Sequence, residues 1–173
     1  DKPGTLVANE EELLDALNAG EPVILIADIV IENAASVAKE VDIDLNGHTL
    51  STTGLDLQAG GNIENGLIKS DANTSMVPHL KVSGGTLNLN NVTVDISHYL
   101  NYYAQGNRNY AELTGVDVAN ADVVLNNCHI KMTNASVYTW SYVYAISVNN
   151  GSLTMNGGDI LFDCANATIA TYN

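Results

Sequence analysis

Apolar and polar residues alternate with a period of two along most of this chain, and the same alternation returns in register. The segment from Leu80 to Ile96 (LKVSGGTLNLNNVTVDI) recurs as Val116 to Met132 (VDVANADVVLNNCHIKM) and as Ile146 to Phe162 (ISVNNGSLTMNGGDILF). Each copy reads as two alternating apolar residues, a corner of small residues, two more apolar residues, an Asn-Asn or Asn-Gly corner, and a last alternating run. Period two with turn residues at fixed places predicts short strands joined by corners. Constant strand-and-corner segments separated by stretches of unequal length mark a stacked repeat with variable loops.

Aligning the copies produces columns. Leu87, Val123 and Leu153 fall together, as do Leu89, Leu125 and Met155, then Val94, Ile130 and Ile160, then Ile96, Met132 and Phe162. Side chains alternate across a strand, so every column can point into one shared core while residues between them, Val124 among them, face water. Two more degenerate stretches extend the series: Asn46-Gly47 after Val41, Ile43 and Leu45, and Asn65-Gly66 after Ile63, fall in the corner occupied later by Asn90-Asn91, Asn126-Asn127 and Asn156-Gly157. With strands ~4.8 Å apart, corner amides can bond from copy to copy, and Asn126 is expected to be buried between Asn90 and Asn156. Asparagine also tolerates the left-handed backbone of a tight corner.

The pattern changes to a helical one only near the start. Asn9 before Glu10, Glu11 and Glu12 is an N-cap with an acidic first turn; Leu13, Leu14 and Leu17 form one apolar face, and Gly20 ends the helix. Such a helix can cover the open edge of the first strands. The chain therefore divides into a cap, residues 1–22, and a single repeat domain, residues 23–173, whose first strands start between Val23 and Ile31. Residues 165–173 are short, polar and small, with no second cap. The expectation is that the repeat domain is truncated there, or that further coils or subunits cover its last turn.

No copy contains the helical stretch of a leucine-rich repeat, and neighbouring strands run the same way, so the sheets are expected to be parallel. In this the chain resembles the right-handed parallel β-helix family, the pectate-lyase-like solenoids of bacterial and phage extracellular proteins. The resemblance runs from about Val23 to Phe162, and its most recognisable stretch is Val41-Asp-Ile-Asp-Leu-Asn-Gly-His-Thr-Leu50. It implies an all-β fold: a right-handed parallel β-helix solenoid of about five coils with a short N-terminal capping α-helix. It also implies an extracellular setting, secreted or on a cell or virion surface, and says almost nothing about activity.

Composition narrows the partners. A chain of 173 residues with 46% hydrophobic content can bury one sizeable core. Twenty acidic residues against 6 Lys plus Arg give a formal net charge of −14, which repels phosphate backbones and anionic lipid, so no nucleic acid is expected as a partner. No apolar run approaches the ~20 residues of a membrane span, so no membrane insertion is expected either. Cys128 lies in the column of Val92 and Gly158, and Cys164 follows the inward parity of Ile160 and Phe162; different columns argue against a disulfide. The sequons at Asn73, Asn91, Asn134 and Asn166 are read as chance.

Candidate chemistry collects in two insertions. Residues 97–110 (SHYLNYYAQGNRNY) and 137–144 (VYTWSYVY) hold seven of the 8 tyrosines and the only tryptophan. They follow adjacent copies, so they should be neighbours in space. Clustered Tyr and Trp with Asn, Gln, His and one Arg suit a sugar, whose apolar faces stack on rings while its hydroxyls bond to polar groups, and equally suit a protein interface. Tyr99, Tyr102, Tyr103, Arg108, Tyr110 and Trp140 are the candidate contact residues. Tyr138, Trp140, Tyr142 and Tyr144 also share parity with Ile146 and Val148, so packing inside the fold is a competing role, strongest for Tyr144.

Catalysis finds little support in these residues. The lyases and hydrolases of the resembled family need clustered carboxylates and a basic residue. Here the column of Asp95 continues as Lys131 and Leu161, Asp163 lies with Ser97 and Thr133, and Asp42 and Asp44 flank Ile43 on an outer face. His48 falls in the inward or corner column of Val92, and His79, His98 and His129 lack metal-ligand spacing. No catalytic residue, metal or cofactor is assigned. The expectation is a non-catalytic adhesive or structural module displaying an aromatic surface for glycan or partner binding. The alternative is the N-terminal part of a polysaccharide lyase or glycoside hydrolase whose active site lies outside this segment.

Overall fold

The alternating segments form strands in the computed structural model, which describes residues 3–70, 79–96, 112–134 and 142–164. The chain starts with β1 (Thr5–Val7), α1 (Glu10–Ala19), β2 (Val23–Leu25), β3 (Ile29–Ile31), β4 (Ala35–Val37), β5 (Val41–Asp44), β6 (Thr49–Thr52) and β7 (Leu55–Leu57). Longer strands follow: β8 (Gly60–Ser70), β9 (Leu80–Val82), β10 (Thr86–Asp95), β11 (Glu112–Ala119), β12 (Asp122–Asn134), β13 (Tyr142–Asn149) and β14 (Ser152–Cys164). Every pairing among the described residues is parallel.

Two sheets result. The first runs β1-β2-β5-β8-β10-β12-β14, with β3 and β6 extending beside β8; the second is 5-stranded and runs β4-β7-β9-β11-β13. The chain visits the first sheet, crosses to the second and returns one strand further along, a winding compatible with a β-helix. In the early turns the two arms of the first sheet are separate strands, β2 with β3 and β5 with β6. From β8 onward one long strand runs through the corner.

The register reproduces the expected columns. Leu87 lies opposite Val123 and Val123 opposite Leu153; Leu89, Leu125 and Met155 follow, and so do Val94, Ile130 and Ile160. Ile63 and Ile43 carry the Leu89 column back to Val23. In the second sheet Leu55, Leu80, Val116 and Ile146 form a column of their own. These side chains close into one continuous core, in which Ile43, Ile63, Leu89 and Ile130 are fully shielded. Ile160 departs from its column, being 45% exposed. It sits on the last described strand, and among the described residues no further strand is stacked on it.

The corners correct one alignment. Asn65 lies between Glu64, opposite Asn90, and Gly66, opposite Val92; it therefore matches Asn91. Asn46-Gly47 belongs to a longer corner, because Asp44 is opposite Glu64 while Thr49 is opposite Leu67. Asp44 takes up the strain of that corner by accepting from the Asn46 N–H at 2.9 Å and from the Asn65 amide at 3.2 Å. Asn46, Asn65, Asn91, Asn120, Asn127 and Asn150 all have φ between 50° and 60°, the left-handed conformation that asparagine accepts more readily than most residues. The amide ladder is present: Asn126 Nδ2 donates to Asn90 Oδ1 at 2.8 Å, and Asn156 Nδ2 to Asn126 Oδ1 at 2.9 Å. Asn126 is half-buried, where the sequence led us to expect burial, because its column shares the outward parity of Val124.

At the first end α1 packs on β1, β2, β3 and β4, strands of both sheets. The Asn9 side chain accepts from Glu12 N–H at 3.0 Å, Glu12 reaches back to Ala8 N–H at 2.8 Å, and Gly20 closes the helix in the left-handed region. Lys39 Nζ donates to Ala19 O at 2.7 Å, a cation at the negative end of the helix. The buried face is Leu13, Ala16 and Leu17, with Leu14 half-buried at its rim. The first strand precedes the helix: Thr5–Val7 pairs with β2 inside the stretch read as cap alone.

Candidate functional site

The chain leaves the first sheet at stacked positions and enters the second at stacked positions. Lys69, Asp95, Lys131 and Leu161 are successive partners at the exits, and Leu80, Val116 and Ile146 at the entries. The Ile96 N–H donates to Lys131 O at 2.8 Å, and Glu112 lies opposite Tyr142. The described residues that flank 71–78, 97–111 and 135–141 thus lie along one edge of the molecule. Tyr99, Tyr102, Tyr103, Arg108, Tyr110 and Trp140 lie outside the described residues, as do Tyr138, His98, Asn73 and Asn166. Tyr144 is described: it is half-buried in the column of Thr114, which is 5% exposed.

Polar groups border that edge. On the outer face Asp95 stands between Lys69 and Lys131 in the column, 3.5 Å from the Lys131 ammonium. One column over, His129 Nδ1 is 2.9 Å from Asp159 Oδ1 with both side chains more than half exposed. Opposite charges alternate here: Asp95 lies between Lys69 and Lys131, and Asp159 lies beside His129. His79 is buried at the entry to the second sheet, its N–H donating to Thr114 O at 3.2 Å and its carbonyl accepting from Leu55 N–H at 3.0 Å. His48 takes the corner option: it is half-buried and its Nδ1 is 3.4 Å from Asp28.

The opposite edge, where the chain returns to the first sheet, carries an open depression of about 360 Å³ lined by Gly85, Thr86, Asn120, Asp122, Asn150 and Gly151. Asn150 Nδ2 donates to Asn120 Oδ1 at 2.7 Å, and Ser152 Oγ to Asp122 Oδ1 at 2.5 Å. This is a second amide step, and the groove's chemistry is neutral hydrogen bonding beside one carboxylate. Among the described residues no three His, Cys, Asp or Glu side chains gather as a metal site, and no helix is long and apolar enough to cross a membrane. Cys128 is free and buried; burial pushes its thiol above the usual range, against the opposing pull of backbone hydrogen bonds. Such a thiol stays protonated and unreactive.

Comparison of the chain with protein-family models, with curated proteins and with solved structures found no match. The His129–Asp159 pair and the Asn120–Asn150 step were missed by reasoning from sequence, although the signal was there. Both pairs occupy equivalent positions of adjacent copies, so the alignment that stacked the core residues also stacked them.

Proposed function

We propose that the chain is a non-catalytic β-helix module of an extracellular protein, right-handed and of the pectate-lyase-like kind, with an adhesive or structural role. On this reading the parallel, in-register sheets are a rigid rod, and the insertions at residues 97–111 and 135–141 are what the rod displays. The observation that carries it is the stacked anchoring of those insertions: Ile96 bonded to Lys131, and Glu112 opposite Tyr142. Two aromatic-rich segments tied to neighbouring strands at both ends supply a combined surface for glycan, with Tyr99, Tyr102, Tyr103, Arg108, Tyr110 and Trp140 as contacts. The alternating charges on the adjoining outer face favour binding over acid-base chemistry.

A glycan array probed with the chain and with Trp140→Ala tests the reading. Binding by the first and its loss in the second is expected, and it should survive added salt, because stacking and neutral hydrogen bonds are weakly screened. Equal signals from both proteins, or none from either, would return the aromatic residues to packing and leave the module as a spacer.

A further inference from the structure

The corners that return the chain to the first sheet align without offset at β9–β10, β11–β12 and β13–β14. Val82, Val118 and Val148 are partners before them, and Thr86, Asp122 and Ser152 are partners after them. Counting inward from either flank puts Gly84, Asn120 and Asn150 in one column. The amide step runs from Asn150 Nδ2 to Asn120 Oδ1 and stops there, because Gly84 has no side chain to accept from Asn120 Nδ2. Gly84 is fixed as glycine, since a Cβ at that position would lie 2.3 Å from Gln58 O. Asn120 lines the open depression of about 360 Å³, and among the described residues nothing accepts from its Nδ2.

Two polar side chains of this depression are held in place from the following turn. Asn150 occupies the Asn120 oxygen, which leaves the NH₂ group to donate; Ser152 Oγ occupies Oδ1 of Asp122, which leaves the second carboxylate oxygen to accept. Thr86 adds an exposed hydroxyl. A donor amide, an acceptor carboxylate and a hydroxyl side by side match adjacent hydroxyls of a neutral sugar, each of which both donates and accepts. An anionic group is repelled by Asp122 on a body of charge −14, and a single carboxylate is too few to hold a hard cation. The volume is at the low end of the range for ligand sites, about 300 to 1,000 Å³, and has room for one sugar unit. The depression does not owe its opening to the end of the stack: Gly85, Thr86, Asn120 and Asp122 belong to turns with a described turn on either side, and the residues flanking 71–78, 97–111 and 135–141 lie along the other edge.

We propose that this depression is a hydroxyl-binding subsite for one unit of a neutral carbohydrate, with Asn120 as the donor and Asp122 as the acceptor. It is separate from the aromatic insertions and stands whether or not they bind glycan. With hydrogen bonds and no ring to stack on, it holds a single sugar with a Kd of roughly 1 mM, as expected of a ligand with so few atoms.

The test uses the ¹⁵N-labelled chain carrying Trp140→Ala, so that the proposed aromatic surface does not contribute. Methyl glycosides of glucose, galactose and N-acetylglucosamine are titrated in while amide resonances are followed by NMR. At least one sugar should give saturable shifts of the Asn120 side-chain amide and of the Gly85 and Gly151 backbone amides. Asn120→Asp keeps the left-handed corner and the oxygen that Asn150 bonds, but removes the donor; it should abolish the saturable shifts at Gly85 and Gly151. Asp122→Asn should weaken binding by about ten-fold, the effect of losing a hydrogen bond to a charged group. Asn127→Asp, at another exposed left-handed corner, should leave it unchanged, with circular dichroism confirming the fold of each variant. No saturable shift at Asn120 with any of the three sugars, a saturable response that Asn120→Asp retains, or a response to N-methylacetamide and to none of the sugars would each overturn the proposal.

Discussion

At one end of the stack Leu13 and Leu17 are shut against β1 to β4, no more than 1% exposed; at the other the inward-facing Val148 and Ile160 each stand 45% exposed. The two ends are built from the same alternating strands, so the contrast isolates what a covering element adds. A helix satisfies its own backbone and needs only an apolar face to close the first turn. A terminal strand has half of its backbone groups pointing outward and needs another strand. The helix therefore closes the first turn, while the inward residues of β14, the last described strand, stay partly open to water.

The sharpest test of that contrast compares Leu17→Ala with Ile160→Ala by urea melts. The first should cost roughly 2 to 5 kcal/mol, the range for truncating a buried leucine. The second should cost about 1 kcal/mol, because only part of its surface is withdrawn from water. Similar losses would mean that the far end is as well covered as the helical one. Leu125→Ala, in the middle of the stack, should match Leu17→Ala, whereas Val124→Thr beside it should change the midpoint little; the reverse ranking would invert the assignment of faces.

The ladder gives a smaller contrast of the same kind. Asn126 has an amide neighbour on both sides, so Asn126→Ala should cost roughly 1 to 3 kcal/mol by leaving its partners unmet. Asn156 has one neighbour and is exposed, and Asn156→Ala should cost less than half as much in the same melts. The smallest effect expected is at the cap. Asn9→Ala removes the bond to Glu12 N–H and should lower stability by about 1 kcal/mol, with hydrogen exchange accelerated in α1 before it changes in β12.

The columns were legible in the sequence because a core with period two leaves little freedom: moving Leu125 by one residue would put it in water. The helix was legible for the same reason, through Asn9, Glu12 and Gly20. Corners were less legible. Asn65-Gly66 carries the letters of Asn156-Gly157, but Glu64 takes the ladder position, and only backbone pairing distinguishes the two registers. The strand at Thr5–Val7 has a single buried residue, too short a run for any period to show. The aromatic insertions were recognisable by composition alone, since no repeat constrains Tyr99 or Trp140 to a face.

The separation in sequence between residues joined across adjacent turns differs along the stack. The Asn65 amide bonds to a residue 21 positions earlier, and the Asn126 amide to one 36 positions earlier. Closing a loop costs conformational entropy that grows only as the logarithm of its length, so the longer excursion is dearer by only about 0.5 kcal/mol. One buried methylene, at about 0.8 kcal/mol, offsets that. A turn of this architecture can therefore carry a long segment between its sheets at almost no thermodynamic penalty, while a single residue added inside β10 or β12 would dislodge every column at once. Variation in length is cheap at one edge and prohibited elsewhere, which is why the aromatic segments can differ so much while the strands that hold them stay nearly the same.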